Sequence, residues 1–587
     1  MANEKKNSMQ TRIVIVEILF FVAILLLGAR SVEVQVFKAD KLAGKAIKEY
    51  STKISVSGER GKILDRNMNP LGTSVEALSV AACPSEIESP DQSARQLAKI
   101  LGLSSRKLKK KLRSKKQFTW VKRRISPDQA RAIKALEIKG VFFRNDSKRF
   151  YPNRGLAAQV IGFTGLEDNG LEGLEYKYND TLKGKVQKIR IKKDGTGKLF
   201  DEEKRLRPQL SGDSIVLTID RSIQFFSEKA LKEAVTEYNA QSGMAIVMAP
   251  KTGHVLAMAH YPEFNPNAFG KYTKEIWRNR SVTDAIEPGS IMKIFTAATA
   301  VEKGYFSTKS IFFCENGTYK IGSFTIHDTH PHGWLSLRQV IKYSSNIGAV
   351  KISETVGAKT LHDTLFSFGF GRKTGIECPY ETRGNLIPYK KWSKIDAGAI
   401  AFGQGISGSA IQMVTAVSAI ANDGVIMKPM LVRKIISNTG EAVRIFSPTP
   451  VKRVISSATA EKIKHMMSAV VDDKGTGKKA AITGYSVCGK TGTAQKAGKS
   501  GKGYLKDKYT AVFTGFAPQA DPRLAILVIV DEPVKNYYGG VVAAPAFKSI
   551  MTESLNYLSI PPDTQSKQMV ASVSKPKTDR KTGEDRL

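Results

Sequence analysis

The apolar positions of the chain fall into one long run, helical stripes and short strand-length runs, and each pattern predicts a different element. The long run is Ile13 to Ala29, 17 residues interrupted by Glu17, at the short end for crossing a bilayer. Lys5, Lys6 and Arg12 precede it, and Leu27-Gly28-Ala29 satisfies a small-x-small cleavage site poorly, so the run predicts an uncleaved anchor. Arg30, Lys38, Lys41, Lys45 and Lys48 follow closely, so positive charge does not set the orientation. Glu17 reads as a carboxylate reaching the cytosolic interface or as a polar contact with a partner helix.

Helical stripes come next. Ala94 to Leu112 follows a helical pattern inside a charge-rich stretch from about Ser51 to Pro208. Ile294 to Val301 is a mainly apolar run that ends at Gly304; Pro288-Gly289 stands before it, and Ser290-Ile291-Met292-Lys293 forms its first turn. Ser336-Leu337-Arg338-Gln339 is a capping box opening a helix in which Leu337, Val340 and Ile341 share a stripe. Ser344-Ser345-Asn346 then lies at the junction with a second helical stretch, Ile347 to Val356. Strand-length runs are Met244 to Ala249 and His254 to His260, Tyr485 to Gly489, Tyr509 to Phe516 and Leu524 to Val530. Pro561 to Leu587 is polar and apolar-poor and predicts disorder.

Three of these elements carry reactive groups. Ser290 and Lys293, at i and i+3, leave one face of a helix start where the dipole favours developing negative charge, which places a nucleophile beside its own base. Ser344 and Asn346 put a hydroxyl and an amide at a helix junction. Lys490-Thr491-Gly492-Thr493 puts an amine and two hydroxyls on a strand, and an edge strand so furnished would close the other wall of a cleft. Each motif alone is weak. Ser104 to Lys107 and Ser572 to Lys575 also match the tetrad, and Lys-Thr-Gly recurs at Lys251, Lys373 and Lys581, which read as a hairpin turn, a loop and a polar tail. Requiring order and element context leaves one combination, and it predicts serine acyl transfer.

The ordered triple resembles that of class B penicillin-binding proteins, and the resemblance covers nearly the whole chain. Arg60-Gly61-Lys62-Ile63-Leu64-Asp65-Arg66-Asn67 resembles the family's N-terminal signature. Tyr151-Pro152, Ala157-Ala158, Gly162-Phe163 and Gly173-Leu174-Glu175 resemble its non-catalytic module, and Asn279 to Gly289 its approach to the nucleophile. Tyr537-Tyr538-Gly539-Gly540 with Ala543-Ala544-Pro545 looks like the division-type, FtsI-like septal branch more than the elongation branch. Ile291 stands where the family often has Thr, and Ile286 where an aromatic is common; both departures bear on cleft shape and antibiotic affinity. The resemblance implies an α/β transpeptidase domain, a central antiparallel sheet flanked by helices, preceded by an extended α+β non-catalytic module and one transmembrane helix. The expected boundaries are a cytoplasmic tail 1–12, anchor 13–29, juxtamembrane linker 30–50, pedestal or dimerisation-like module 51–212, transpeptidase domain 213–560 and tail 561–587.

The activity so implied is septal peptidoglycan D,D-transpeptidation. Ser290 attacks the carbonyl between the last two D-Ala residues of a wall stem peptide, and Lys293 takes its proton, its pKa lowered by burial and by the neighbouring Lys490. Ser344 relays a proton to the leaving amine, Lys490 polarises that hydroxyl, and Asn346 orients Lys293 and the substrate amide. Backbone N–H groups of Ser290 and Thr493 form the oxyanion site; Thr491 and Thr493, flanking Gly492, hold the terminal carboxylate. Lys490→Arg, which keeps the charge, is expected to retain a measurable fraction of acylation. No cofactor or metal is called for. The implied partners are stem peptides and lipid-linked precursor strands, β-lactam antibiotics, a multi-spanning glycan polymerase and other division proteins, with a single-pass protein in the bacterial cytoplasmic (inner) membrane and its catalytic domain outside. Three other readings share parts of the pattern: an elongation-type member, a membrane β-lactam sensor or serine β-lactamase, and a catalytically silent division scaffold. The long module before Ser290 and the Tyr537 to Gly540 ending argue against the sensor or lactamase, and loss of growth support on Ser290→Ala separates an enzyme from a scaffold.

Composition changes this picture in three places. The chain has 91 Lys and Arg against 54 Asp and Glu, a formal charge of +37, which suggests an anionic counterpart. Much of the excess is local, at Arg106 to Arg124 and Lys183 to Arg207, and no Cys/His finger or aromatic-interleaved basic motif supports nucleic acid. Phosphate-bearing lipid headgroups and wall polymers, or a merely solvated basic face, are the readings that stand. Cys83, Cys314, Cys378 and Cys488 are widely spaced, and both disulfides and buried free thiols fit them. His327, Asp328, His330 and His332 have zinc-ligand chemistry, but the segment from Ile326 to Trp334 reads as a surface loop and the implied reaction needs no metal.

Overall fold

A computed structural model describes residues 2–192, 208–498 and 503–564. The expected tail from residue 565 onward, with Lys581 and the Ser572 to Lys575 match, and the basic stretch 193–207 lie outside the described residues. Packing separates two units, residues 1–59 with 184–211, and residues 60–183 with 212–587.

In the first unit a helix spans Ala2–Val32, passes into a π-helical turn at Glu33–Phe37, and is followed by a helix at Ala39–Tyr50. Met9–Phe37, 29 residues, is long and apolar enough to cross a membrane, so the candidate span is longer than the apolar run alone predicts. The segment 30–50, expected as a linker, is helical, consistent with its Lys, Ala, Leu and Glu content. Ser51–Ser57 pairs antiparallel with Val186–Lys192, Ser57 opposite Val186.

The second unit begins with a three-stranded antiparallel arrangement in which Pro70–Ala82 pairs with both Val141–Phe150 and Thr119–Ile125. The single helix predicted over Ala94 to Leu112 is two helices, Pro90–Leu101 and Ser105–Leu112. Gly102 takes a left-handed φ of 63°, and the Ser104 side chain caps the second helix by accepting from Lys107 N. The Ser104 to Lys107 match to the catalytic tetrad is therefore a helix cap. Leu97, Leu101, Leu108, Leu112, Val80 and Val121 bury together as a core of their own.

Segments singled out separately in the sequence meet in one buried ion network. Arg60 Nε donates to Glu175 Oε2 at 2.6 Å, Arg149 Nε donates to Glu175 Oε1 at 2.6 Å, and Tyr151 OH donates to the same Oε1 at 3.2 Å. Two guanidiniums around one carboxylate satisfy charges that would otherwise be costly to bury. Adjacent chain then locks onto the catalytic part: Ala157 N donates to Glu228 Oε1 at 2.8 Å, and Gln159 Nε2 donates to Pro262 O at 3.1 Å and Ile276 O at 3.2 Å.

The catalytic part is built on a five-stranded antiparallel sheet in the order Cys488–Ala497, Tyr504–Ala517, Leu524–Asp531, Ser242–Ala249, His254–Tyr261. Its strands read as nearly continuous apolar runs because both faces are covered. Ala245, Val247, Phe513, Ile526 and Val528 pack with helices Arg221–Glu237 and Gly539–Tyr557. Met244, Ile246, Val512, Leu527 and Ile529 pack with helices Met292–Glu302 and Ala410–Ala421 on the other face. Residues 292–301 and Ala410–Ala421 are buried all round, which explains their lack of amphipathic pattern. Lys251-Thr252-Gly253 is the tight turn between the first two strands in sequence, Gly253 at φ 74°. Pro545 sits inside helix Gly539–Tyr557, and the Val541 carbonyl that it deprives of a helical partner accepts from Tyr238 OH at 3.2 Å.

Candidate active site

Ser290 lies on a short 3₁₀ turn, Gly289–Ile291, that runs into the buried helix Met292–Glu302, rather than in the first turn of one continuous helix. The cause is local: Gly289 takes φ 55° and donates its N–H to Gly403 O at 3.2 Å. A Cβ on Gly403 would lie 2.0 Å from Gly289 O, so this approach requires glycine there as well. The turn still puts Ser290 and Lys293 on one face, with Lys293 Nζ 2.9 Å from Ser290 Oγ.

The predicted capping box is present, Ser336 with Gln339, and its helix Leu337–Tyr343 ends at Ser344 in a left-handed conformation, φ 61°. That conformation is uncommon for a residue with a side chain. Here it aims both polar groups of Ser344 at one amine: Lys293 Nζ donates to Ser344 O at 2.5 Å and approaches its Oγ at 3.2 Å. Asn346 opens the next helix, Asn346–Val356, and its Oδ1 accepts from Lys293 Nζ at 2.7 Å while its Nδ2 donates to His327 O at 2.8 Å.

Lys490 comes from the edge strand of the sheet, opposite Thr514 in register. Its Nζ donates to Ser344 Oγ at 2.8 Å, so one hydroxyl bridges two lysines from distant elements. Lys293 and Lys490 are both buried. Burial lowers the Lys293 amine to about 7, against the opposing pull of the Asp328 carboxylate. Lys490 is pushed well below the ordinary lysine value by burial first and by the charge of Lys293 second. Both amines are thus lowered, with burial the first cause in each.

The two threonines of the strand have hydrogen-bond partners other than the lysine pair. Thr491 Oγ1 donates to Thr476 Oγ1 at 3.0 Å, and Thr493 Oγ1 accepts from Gly539 N at 3.2 Å. Ser290, Ser344, Asn346, Thr491, Gly492 and Thr493 line one cleft of about 550 Å³, with the amines of Lys293 and Lys490 at its base. All eight residues expected from sequence thus converge on one place. The competing Lys-Thr-Gly at Lys373 is a loop that borders another cavity, lined by Phe368, Gln412 and Lys428.

Three contributors escaped the sequence reading. Asp328, noted only as part of a possible metal cluster, accepts from Ser345 Oγ at 2.5 Å, from Asn346 N at 2.5 Å and from Ile347 N at 3.0 Å, so it caps the helix that carries Asn346. Thr476 enters from a Gly-flanked turn, and Gly403 from a loop. Nothing in the local sequence signals these two; Asp328 has the signal of an acidic residue at a helix start, but it arrives from 18 residues away in sequence. Among the described residues, no three His, Cys, Asp or Glu side chains are grouped to hold a metal, and His332 stacks on Tyr343 at 5.1 Å. The four cysteines are free and buried.

Comparison with known proteins bears on this arrangement. Residues 243–552 match the family described as penicillin binding protein transpeptidase domain, and residues 55–217 match the penicillin-binding protein dimerisation domain. The probable peptidoglycan D,D-transpeptidase PbpC of Pseudomonas aeruginosa is 34% identical over 96% of this chain and 97% of its own. The peptidoglycan D,D-transpeptidase FtsI of Escherichia coli K12 is 33% identical over 92% of this chain and 91% of its own. Penicillin binding protein 3 of Mycobacterium tuberculosis, solved in complex with aztreonam, superposes with a TM-score of 0.68 at 28% identity, covering 87% of this chain and 98% of that one.

Proposed function

The chain belongs to the penicillin-binding protein transpeptidase family, as a peptidoglycan D,D-transpeptidase of class B type, and on that premise we propose that its acyl-enzyme forms on Ser290. Membership carries wall stem peptides as the substrate class and β-lactams as ligands. The observation that supports the assignment is a buried Lys293 amine 2.9 Å from Ser290 Oγ with its pKa lowered to about 7. An amine in that range is neutral often enough near pH 7 to act as base.

Ser290 Oγ bonds to the carbonyl carbon of the penultimate D-Ala, and its proton passes to Lys293. The bond from that carbon to the terminal D-Ala nitrogen breaks, and the proton leaves through Ser344 Oγ, which contacts both lysines, to the departing amine. Lys490 orients that hydroxyl, and Asn346 holds Lys293. Ser290 and Thr493 N–H groups stabilise the oxyanion, while Thr491 and Thr493 receive the terminal carboxylate, with Thr476 beside Thr491 as a further hydroxyl. The amine of a second stem then attacks the ester carbonyl, the bond to Ser290 Oγ breaks, and the proton the amine loses passes through Lys293 to that oxygen, which forms the cross-link and frees Ser290. The decisive experiment is intact mass after penicillin exposure: a persistent adduct on Ser290, absent from Ser290→Ala, is expected. An adduct on another residue, or rapid drug turnover, rejects the scheme.

The same reading places the chain in the septal branch, held in the cytoplasmic membrane by its N-terminal helix and acting with a multi-spanning glycan polymerase. Support comes from the Tyr537 to Pro545 ending, from the span Met9–Phe37 and from the likeness to FtsI. Depletion should produce filaments; round, swollen cells would assign the elongation branch. Exchange of the anchor for an unrelated span should spare penicillin binding and impair division, and normal division would remove the helix-mediated partner.

A further inference from the structure

A second groove adjoins the catalytic cleft beyond Gly539 and Gly540. Helix Gly539–Tyr557 begins as the wall of the cleft, with Gly539, Gly540 and Val541 lining it, and continues beside the second groove of about 550 Å³. That groove is formed by Pro545, Lys548, Ser549, Thr552 and Glu553 together with Lys479. The helix residues recur at intervals of three and four, so they make one face of one rigid element. Lys479 lines both cavities and is the ridge between them. From Val541 to Thr552 the helix rises roughly 17 Å at about 1.5 Å per residue, a length spanned by about five extended peptide residues.

The groove carries a few charged groups on an otherwise largely apolar lining. Lys479 and Lys548 are exposed amines, and among the described residues neither pairs with a carboxylate, whereas the adjacent Lys478 is engaged by Asp473 at 3.0 Å. The exposed Ser549 lies between Lys548 and the polar far end, where Glu553 supplies the only acidic group of the lining. We propose that this groove continues the substrate track: a carboxylate-bearing stretch of wall stem peptide lies along helix Gly539–Tyr557, its carboxylates facing Lys479 and Lys548 and a side-chain amine facing Glu553. This rests on the transpeptidase reading of the cleft and extends it beyond the reacting bond.

A small β-lactam fills only the cleft, so the two regions separate experimentally. The test uses the full chain in detergent micelles with lipid-linked glycan strands as substrate, comparing wild type, Lys548→Glu and Lys548→Arg. Lys548→Glu is expected to raise KM for strand cross-linking about threefold to fivefold, the effect of losing one exposed ion pair of about 1 kcal/mol, with kcat retained. Lys548→Arg should restore the wild-type KM, high salt should erase the difference, and penicillin acylation of Ser290 should be equal in all three. An unchanged KM in Lys548→Glu with normal acylation overturns the groove and leaves the cleft assignment standing. Failure of the unaltered chain to take penicillin on Ser290 overturns the transpeptidase reading itself.

Discussion

Replacing Asp328 by Asn removes one charge and nearly preserves shape, and the structure predicts two separable effects. The carboxylate accepts from Ser345 Oγ, Asn346 N and Ile347 N within 3.0 Å, at the start of the helix that carries Asn346. Hydrogen bonds to a charged group contribute about 1.5–3 kcal/mol, and charge at a helix N-terminus about 0.3–2 kcal/mol. An amide keeps one acceptor, so a stability loss of about 2 kcal/mol is expected. The second effect is on the base. Asp328 favours the charged form of Lys293 and opposes the burial that lowers its pKa to about 7. Without that charge the pKa falls further. Because Lys293 must be neutral to accept the Ser290 proton, wild-type acylation should rise as pH passes about 7 and level off above it. In Asp328→Asn the rise should move to lower pH while the plateau drops, since Asn346 and Ser344 are held less firmly. Stopped-flow acylation by a fluorescent penicillin across pH, with thermal unfolding of the same samples, reads both effects. A rise that stays in place or moves to higher pH refutes the electrostatic part, because a purely mechanical loosening lowers the plateau alone.

Lys293→Ala should reduce acylation by about 10²- to 10⁴-fold, the usual contribution of a positioned base, as measured by the rate of adduct formation. Lys490→Arg, expected from sequence to keep part of the activity, is expected from structure to lose nearly all of it, because the position is buried, its compact amine donates to both Ser344 Oγ and Thr491 O, and a larger planar guanidinium cannot reproduce those contacts there; retention of half the acylation rate would contradict this. Glu175→Gln should destabilise by about 3–5 kcal/mol in denaturant unfolding, since it leaves Arg60 and Arg149 buried around an uncharged group. Glu228 is raised to about 7 by burial, so the folded state binds more protons than the unfolded state between about 4.5 and 7 and stability is lost as pH rises through that window; Glu228→Gln should therefore raise the unfolding temperature at pH 8 and not at pH 4, and an equal change at both would refute the titration.

The local part of this protein was legible without its fold. The Ser336 and Gln339 capping box, the hairpin at Lys251 and the apolar strands around it and at Tyr509 to Phe516 and Leu524 to Val530 depend on neighbours a few residues apart, and the structure places them where that periodicity predicts; the stripe from Ala94 to Leu112 breaks at Gly102, and the strand expected over Tyr485 to Gly489 begins only at Cys488. The order of serine-lysine, serine-asparagine and lysine-threonine motifs was likewise written in the chain. What only tertiary structure decided is how those groups act on one another. Ser344 bridges Lys293 and Lys490 because a left-handed residue ends one helix beside the edge of a sheet closed about 150 residues later. Asp328 turns from a supposed metal ligand into a helix cap, and Gly403 opens the turn beneath Ser290. Both lysine amines are lowered first by burial, which no local pattern records. Propensity and capping act within one or two turns of chain, while desolvation and charge act through space, and the chemistry of this site rests on the second kind.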